Sequence, residues 1–106
     1  MNPTVQEIAI ELSTAEKYVE DAKSLERLMM NPDFKRLIIK GFANDEAVRL
    51  VNFRASDEVQ DNPAVLKRVD RGIDAIGYLQ EYFRKIEIIG EQSASSIDAL
   101  RSEGLV

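Results

Sequence analysis

The stretch that decides the fold is residues 63–89, PAVLKRVDRGIDAIGYLQEYFRKIEII. Within it Leu66, Val69, Ile73, Ile76, Leu79, Phe83 and Ile86 recur at spacings of three and four, the rhythm that lines one face of an α-helix. Asn62 and Pro63 open the run. The asparagine side chain can accept an orphan backbone N–H, and proline at the first helical position has no N–H to leave unsatisfied. A helix from Pro63 through Ile89 is about 40 Å long at 1.5 Å per residue, so something of comparable length must lie beside it. Gly72 and Gly77 interrupt the pattern, each at about 1 kcal/mol relative to alanine. The expected reason is that another backbone passes close by.

The N-terminal residues supply that companion. Val5, Ile8, Leu12, Ala15, Val19 and Ala22 keep the same alternation of three and four, and Leu25, Leu28 and Met29 carry it toward Met30. Asn2 and Pro3 repeat the cap-plus-proline device, while Glu7, Glu11, Glu16, Lys17, Glu20 and Asp21 form a polar outer face. The fold class is therefore all-α: two long antiparallel helices with one or two short helices packed on them. Residues 1–90 form a single helical domain, and residues 91–106 a polar C-terminal extension. In that extension Ala94, Ile97 and Leu100 keep a helical spacing that Ser93, Ser95, Ser96 and Gly104 dilute, so it is expected to fray or to order against a partner.

Between the long helices, Asn31-Pro32-Asp33 ends one element and caps the next. Phe34, Leu37 and Ile38 begin a short helix that weakens at Gly41. Ala47, Val48, Leu50 and Val51 suggest another, capped by Asn44 with Asp45 and Glu46 in its first turn. Two short helices are expected here. Residues 55–62, ASDEVQDN, read as a loop.

Composition excludes more than it assigns. The 106 residues contain no cysteine, histidine or tryptophan, which removes disulfides, thiol catalysis and the commonest general base and metal ligand. Five glycines and three prolines are too few for a many-stranded domain. Asp57, Glu58 and Asp61 lack the spacing of a calcium loop. No serine has a histidine partner, and no glycine-rich loop stands between a strand and a helix. The expectation is a non-enzyme with no catalytic, cofactor-binding or metal-binding residues.

The net charge is −5 and is unevenly spread: residues 1–22 carry −4, 23–54 carry +3, 55–62 carry −3, 63–85 carry +2 and 86–106 carry −3. This acidity disfavours sequence-independent duplex DNA binding. Acid at both ends with a mildly basic middle suits intramolecular pairing or head-to-tail association, and equally an ordinary solvated surface. No apolar run approaches the roughly 20 residues of a membrane span, and no basic leader precedes one. A cytoplasmic setting follows as the expectation.

Recognition surfaces are the richer prospect. Tyr78, Tyr82 and Ile89 fall with Ala75 on a flank of the 63–89 helix away from its main stripe. Either the short helices cover that flank or it is an interface, where tyrosine suits a half-wet contact. Phe34 with Lys35, Arg36 and Lys40 makes a small basic cluster fitting either an acidic partner or solvent. Leu25, Leu28, Met29 and Met30 extend the first stripe and complete the interface candidates.

The segments Asn31-Pro32-Asp33-Phe34-Lys35, Gly41-Phe42, Asp45-Glu46-Ala47, Arg49-Leu50-Val51 and Asp74-Ala75-Ile76-Gly77-Tyr78-Leu79 with Tyr82-Phe83 resemble small helical proteins encoded by tailed bacteriophages. The resemblance spans residues 20 to 90 and implies a phage setting: a virion or assembly component, or a small host-takeover protein. It transfers no site residues. The leading expectation is a non-enzymatic assembly protein acting by self-association and docking on larger protein partners, with host cytoplasm or virion as its place. The alternatives are an acidic adaptor or inhibitor of a host protein, and an oligomer sequestering an anionic ligand through Arg68, Arg71 and nearby tyrosines.

Overall fold

Thr4 opens the first helix with a reciprocal cap. Its hydroxyl accepts the Glu7 N–H at 3.1 Å while its own N–H donates to the Glu7 carboxylate at 3.0 Å, satisfying two donors at the helix start. The computed structural model describes residues 4–105, so Asn2 and Pro3, expected to open this helix, lie outside the described residues. The elements are α1 (Val5–Met29), α2 (Pro32–Phe34), a π-helix (Lys35–Glu46), α3 (Ala47–Arg54), α4 (Asp57–Gln60) and α5 (Pro63–Ser102). No strand occurs among the described residues. The architecture is the expected one: α1 packs antiparallel against α5, with shorter helices between them in sequence.

The chain divides into two units, residues 1–27 with 83–106, and residues 28–82. In the first, Ile8, Leu12, Ala15, Val19, Ala22 and Leu25 turn inward from α1, and Ile86, Gly90, Ser93, Ile97 and Leu100 from α5. Small residues let these two backbones approach. A Cβ built on Gly90 would stand 2.5 Å from the Ala22 Cβ, so the close passage expected at Gly72 and Gly77 occurs at Gly90. Helix α5 runs unbroken past Gly90 to Ser102, with Ile97 and Leu100 buried. Gly104, a mere diluent of the apolar spacing in sequence, is the stop signal. It has a φ of +71°, and the N–H groups of Leu105 and Gly104 return to the carbonyls of Leu100 and Arg101 at 2.9 and 3.0 Å, a glycine-terminated helix end.

The second unit holds a small core of Leu50, Val59, Val69 and Ile76, flanked by Phe42, Ala47, Phe53, Val65, Leu66 and Ile73. Val59 is 0% exposed, although residues 55–62 read as a loop. The single turn α4 inserts it, held by Gln60 donating to the Arg54 carbonyl at 2.6 Å and the Ser56 hydroxyl donating to the Phe53 carbonyl at 2.7 Å. Burying each such aliphatic side chain contributes about 1.5–3 kcal/mol. Gly72 receives the Leu50 side chain, whose nearest methyl would stand 3.0 Å from an added Cβ.

Two of the asparagine caps expected within the described residues form. Asn31 Oδ1 accepts the N–H groups of Asp33 and Phe34 at 2.9 and 3.0 Å, and Asn62 Oδ1 accepts that of Val65 at 3.3 Å. Between them the winding departs from expectation. Lys35–Glu46 is a 12-residue π-helix, with hydrogen bonds reaching five residues back, a form mostly seen as single turns. Gly41 therefore breaks nothing: residues 32–54 run continuously as α, π and α segments. A Cβ on Gly41 would meet the Arg36 carbonyl oxygen at 3.0 Å. Asn44 is not a cap. It lies inside the π-helix and donates to Asp45 at 3.3 Å.

Candidate protein interface

Packing Val69 and Ile76 inward fixes what α5 shows outward in the second unit. At 100° per residue Ala64, Arg68, Arg71, Ala75, Tyr78 and Tyr82 share the opposite face, and all six are exposed. Tyr78 is 77% exposed and Tyr82 54%. The short helices thus leave this tyrosine flank open, while Ile89 is half-buried. Gly77 has nothing within 4 Å of an added Cβ, so no close packing explains that glycine.

The other candidates separate. Leu25 is buried within the chain and has no surface to offer; Met29 is half-buried, and Leu28 and Met30 are exposed, Met30 at 73%. Phe34 is half-buried at the start of the π-helix, with Lys35, Arg36 and Lys40 exposed around it. Lys40 pairs with Asp45 at 3.6 Å. Lys35 and Arg36 make no ion pair among the described residues.

Further exposed apolar side chains escape a reading of the sequence. Leu37 and Ile39 on the π-helix and Val48 and Val51 on α3 face outward, while Leu50 between the valines is buried. A signal exists at Val48 and Val51: with Leu50 inward, positions two before and one after it turn away at 100° per residue.

The electrostatics are those of a solvated surface. Asp70 on α5 hydrogen-bonds Arg54 on α3, holding the guanidinium pKa above its ordinary value. Arg49 hydrogen-bonds Glu46 across the junction of π-helix and α3 and keeps that carboxyl below the ordinary glutamate range. On α1 the Lys17 ammonium lies 5.1 Å from the centre of the Tyr18 ring. Among the described residues no three acidic side chains gather as metal ligands would, and no helix is long and apolar enough to cross a membrane.

The arrangement sets exposed aromatic and aliphatic side chains beside Lys35 and Arg36, cations that make no ion pair among the described residues. No protein family, curated protein or solved structure matches the chain.

Proposed function

We propose that this chain is a non-enzymatic helical protein that works by associating with copies of itself and docking on larger protein partners, in a phage virion or assembly setting. One observation carries the reading. Four large apolar side chains of the unit formed by residues 28–82, Met30, Val48, Val51 and Tyr78, are more than half exposed, at 73, 54, 56 and 77%. Open apolar positions at Met30, Tyr78, Val48 and Val51 are what an interface core requires. The resemblance to small phage proteins supports the setting.

Sedimentation equilibrium over a hundredfold dilution tests the reading. It predicts a weight-average mass at least twice that of the chain at micromolar concentration; the mass of one chain throughout contradicts it.

A second reading, an adaptor or inhibitor on another protein, is favoured by Lys35 and Arg36, which are exposed and unpaired among the described residues beside exposed Leu37. Reversing them with K35E and R36E separates the two. Loss of a foreign partner with mass unchanged supports the adaptor, and loss of self-association supports assembly.

A further inference from the structure

The proposal rests on the self-association reading and names its surface. Two exposed stripes of this chain share one rhythm. On α5, Arg68, Arg71, Ala75, Tyr78 and Tyr82 are spaced three, four, three, four; on α1, Glu7, Glu11, Thr14, Tyr18 and Asp21 are spaced four, three, four, three, and all ten are exposed. Each stripe covers about 21 Å of helix. Their charges are opposite. Lys67, Arg68 and Arg71 make no ion pair among the described residues; of the acids beside them, Asp70 is held by Arg54 and Asp74 has no such pair. The α1 stripe holds Glu7, Glu11 and Asp21, the last 3.5 Å from the Lys17 ammonium of its own chain.

We infer that the tyrosine and arginine face of α5 receives the acidic stripe of α1 from a second copy of this chain, with the two helices antiparallel. In that orientation the rhythms match residue for residue. Asp21 meets Arg68, Tyr18 meets Arg71, Thr14 meets Ala75 and Glu11 meets Tyr78. An acid faces a guanidinium, a ring faces a cation, and a carboxylate accepts a phenol hydroxyl. At the centre the single methyl of Ala75 leaves room for the short Thr14 side chain, so the helices can approach there. The parallel alignment that keeps the rhythm and sets Glu11 against Arg68 puts Arg71 opposite Thr14, and it sets the helix dipoles against each other. Tyr18 already holds one cation over its ring, Lys17 at 5.1 Å. The tyrosines supply buried area and the charges set register, since exposed ion pairs alone contribute little.

A second copy fits this surface better than a nucleic acid strand. The acidic complement is carried by the chain itself, whose net charge of −5 repels phosphate backbones.

The absence of cysteine makes the test direct. Chains carrying T14C are mixed with chains carrying A75C and oxidised gently; each has one thiol, so a mixed disulfide can form only between copies. The proposal predicts that the mixed T14C–A75C product exceeds both like-with-like products severalfold. It also predicts that R68E or D21K alone weakens association about tenfold, and that the two together restore most of it. Association of the unmodified chain with no excess of mixed product, and with R68E neutral, overturns this surface while leaving self-association standing. An unmodified chain that stays monomeric overturns both. Both cysteine positions are exposed, so folding does not limit the test.

Discussion

Gly90 of α5 lies so near Ala22 of α1 that an added Cβ would stand 2.5 Å from the Ala22 Cβ and 3.5 Å from the Tyr18 carbonyl oxygen. Real Cβ atoms do not approach so closely, so the helices must separate locally to admit even one methyl group. Alanine in place of glycine ordinarily favours a helix by about 1 kcal/mol. Here overpacking outweighs that gain, and G90A is expected to destabilise the fold by about 1–2 kcal/mol.

The same substitution at Gly77 should do the reverse. No atom lies within 4 Å of its added Cβ, so G77A is expected to stabilise by about 0.5–1 kcal/mol through helix propensity and loss of unfolded-state freedom. Urea unfolding of both variants checks the pair. Shifts of the same sign would contradict the assignment of close approach to Gly90.

Val59 is the most buried side chain of the second unit's core and is presented by a single helical turn. V59A removes two methyl-sized groups at about 0.8 kcal/mol each and leaves a void. The expected loss is about 2 kcal/mol, read as a lower urea midpoint with unchanged slope.

What can be read without the structure follows from period. Stripes of six or seven apolar residues set the extent and the facing sides of α1 and most of α5, and the Asn-Pro pairs at 31 and 62 mark two helix starts. Val59 has no such support, because one valine among Ser, Asp, Glu and Gln makes no period. Ser93 misleads in the other direction: it is buried on the same α5 face as Gly90, Ile97 and Leu100, yet it reads as a polar interruption. The π-winding of residues 35–46 is hidden because a pattern of apolar residues does not distinguish bonds reaching four residues back from five. Of the candidate surface, the Tyr78 and Tyr82 flank is visible on a helical wheel. Leu25 does not belong to that surface, because its inward turn depends on what packs beside it.

The caps offer a local test of helix starts. Thr4 and Asn62 each accept a backbone N–H of their helix's first turn, so T4A and N62A should each cost about 1 kcal/mol. N44A should cost little, since Asn44 caps nothing. Thermal melts followed by circular dichroism would distinguish the three.

Acid should loosen the junction between the π-helix and α3. Arg49 holds the Glu46 carboxyl below its ordinary range, first by hydrogen bond and then by charge. A carboxyl depressed in the folded state favours folding above its unfolded pKa, and that contribution fades as pH falls through the folded value. The melting temperatures of the native chain and of E46Q should therefore differ at neutral pH and converge in acid. A gap that widens on acidification would contradict the pairing. Because both side chains are exposed, the effect should also shrink in high salt.

Self-association through exposed apolar surface, as proposed above, links folding to protein concentration. The melting temperature, taken across a hundredfold range of protein concentration, reads that link. Association linked to folding makes that temperature rise with concentration; the account predicts a rise of several degrees. A melting temperature independent of concentration, with the mass of one chain throughout, would contradict it.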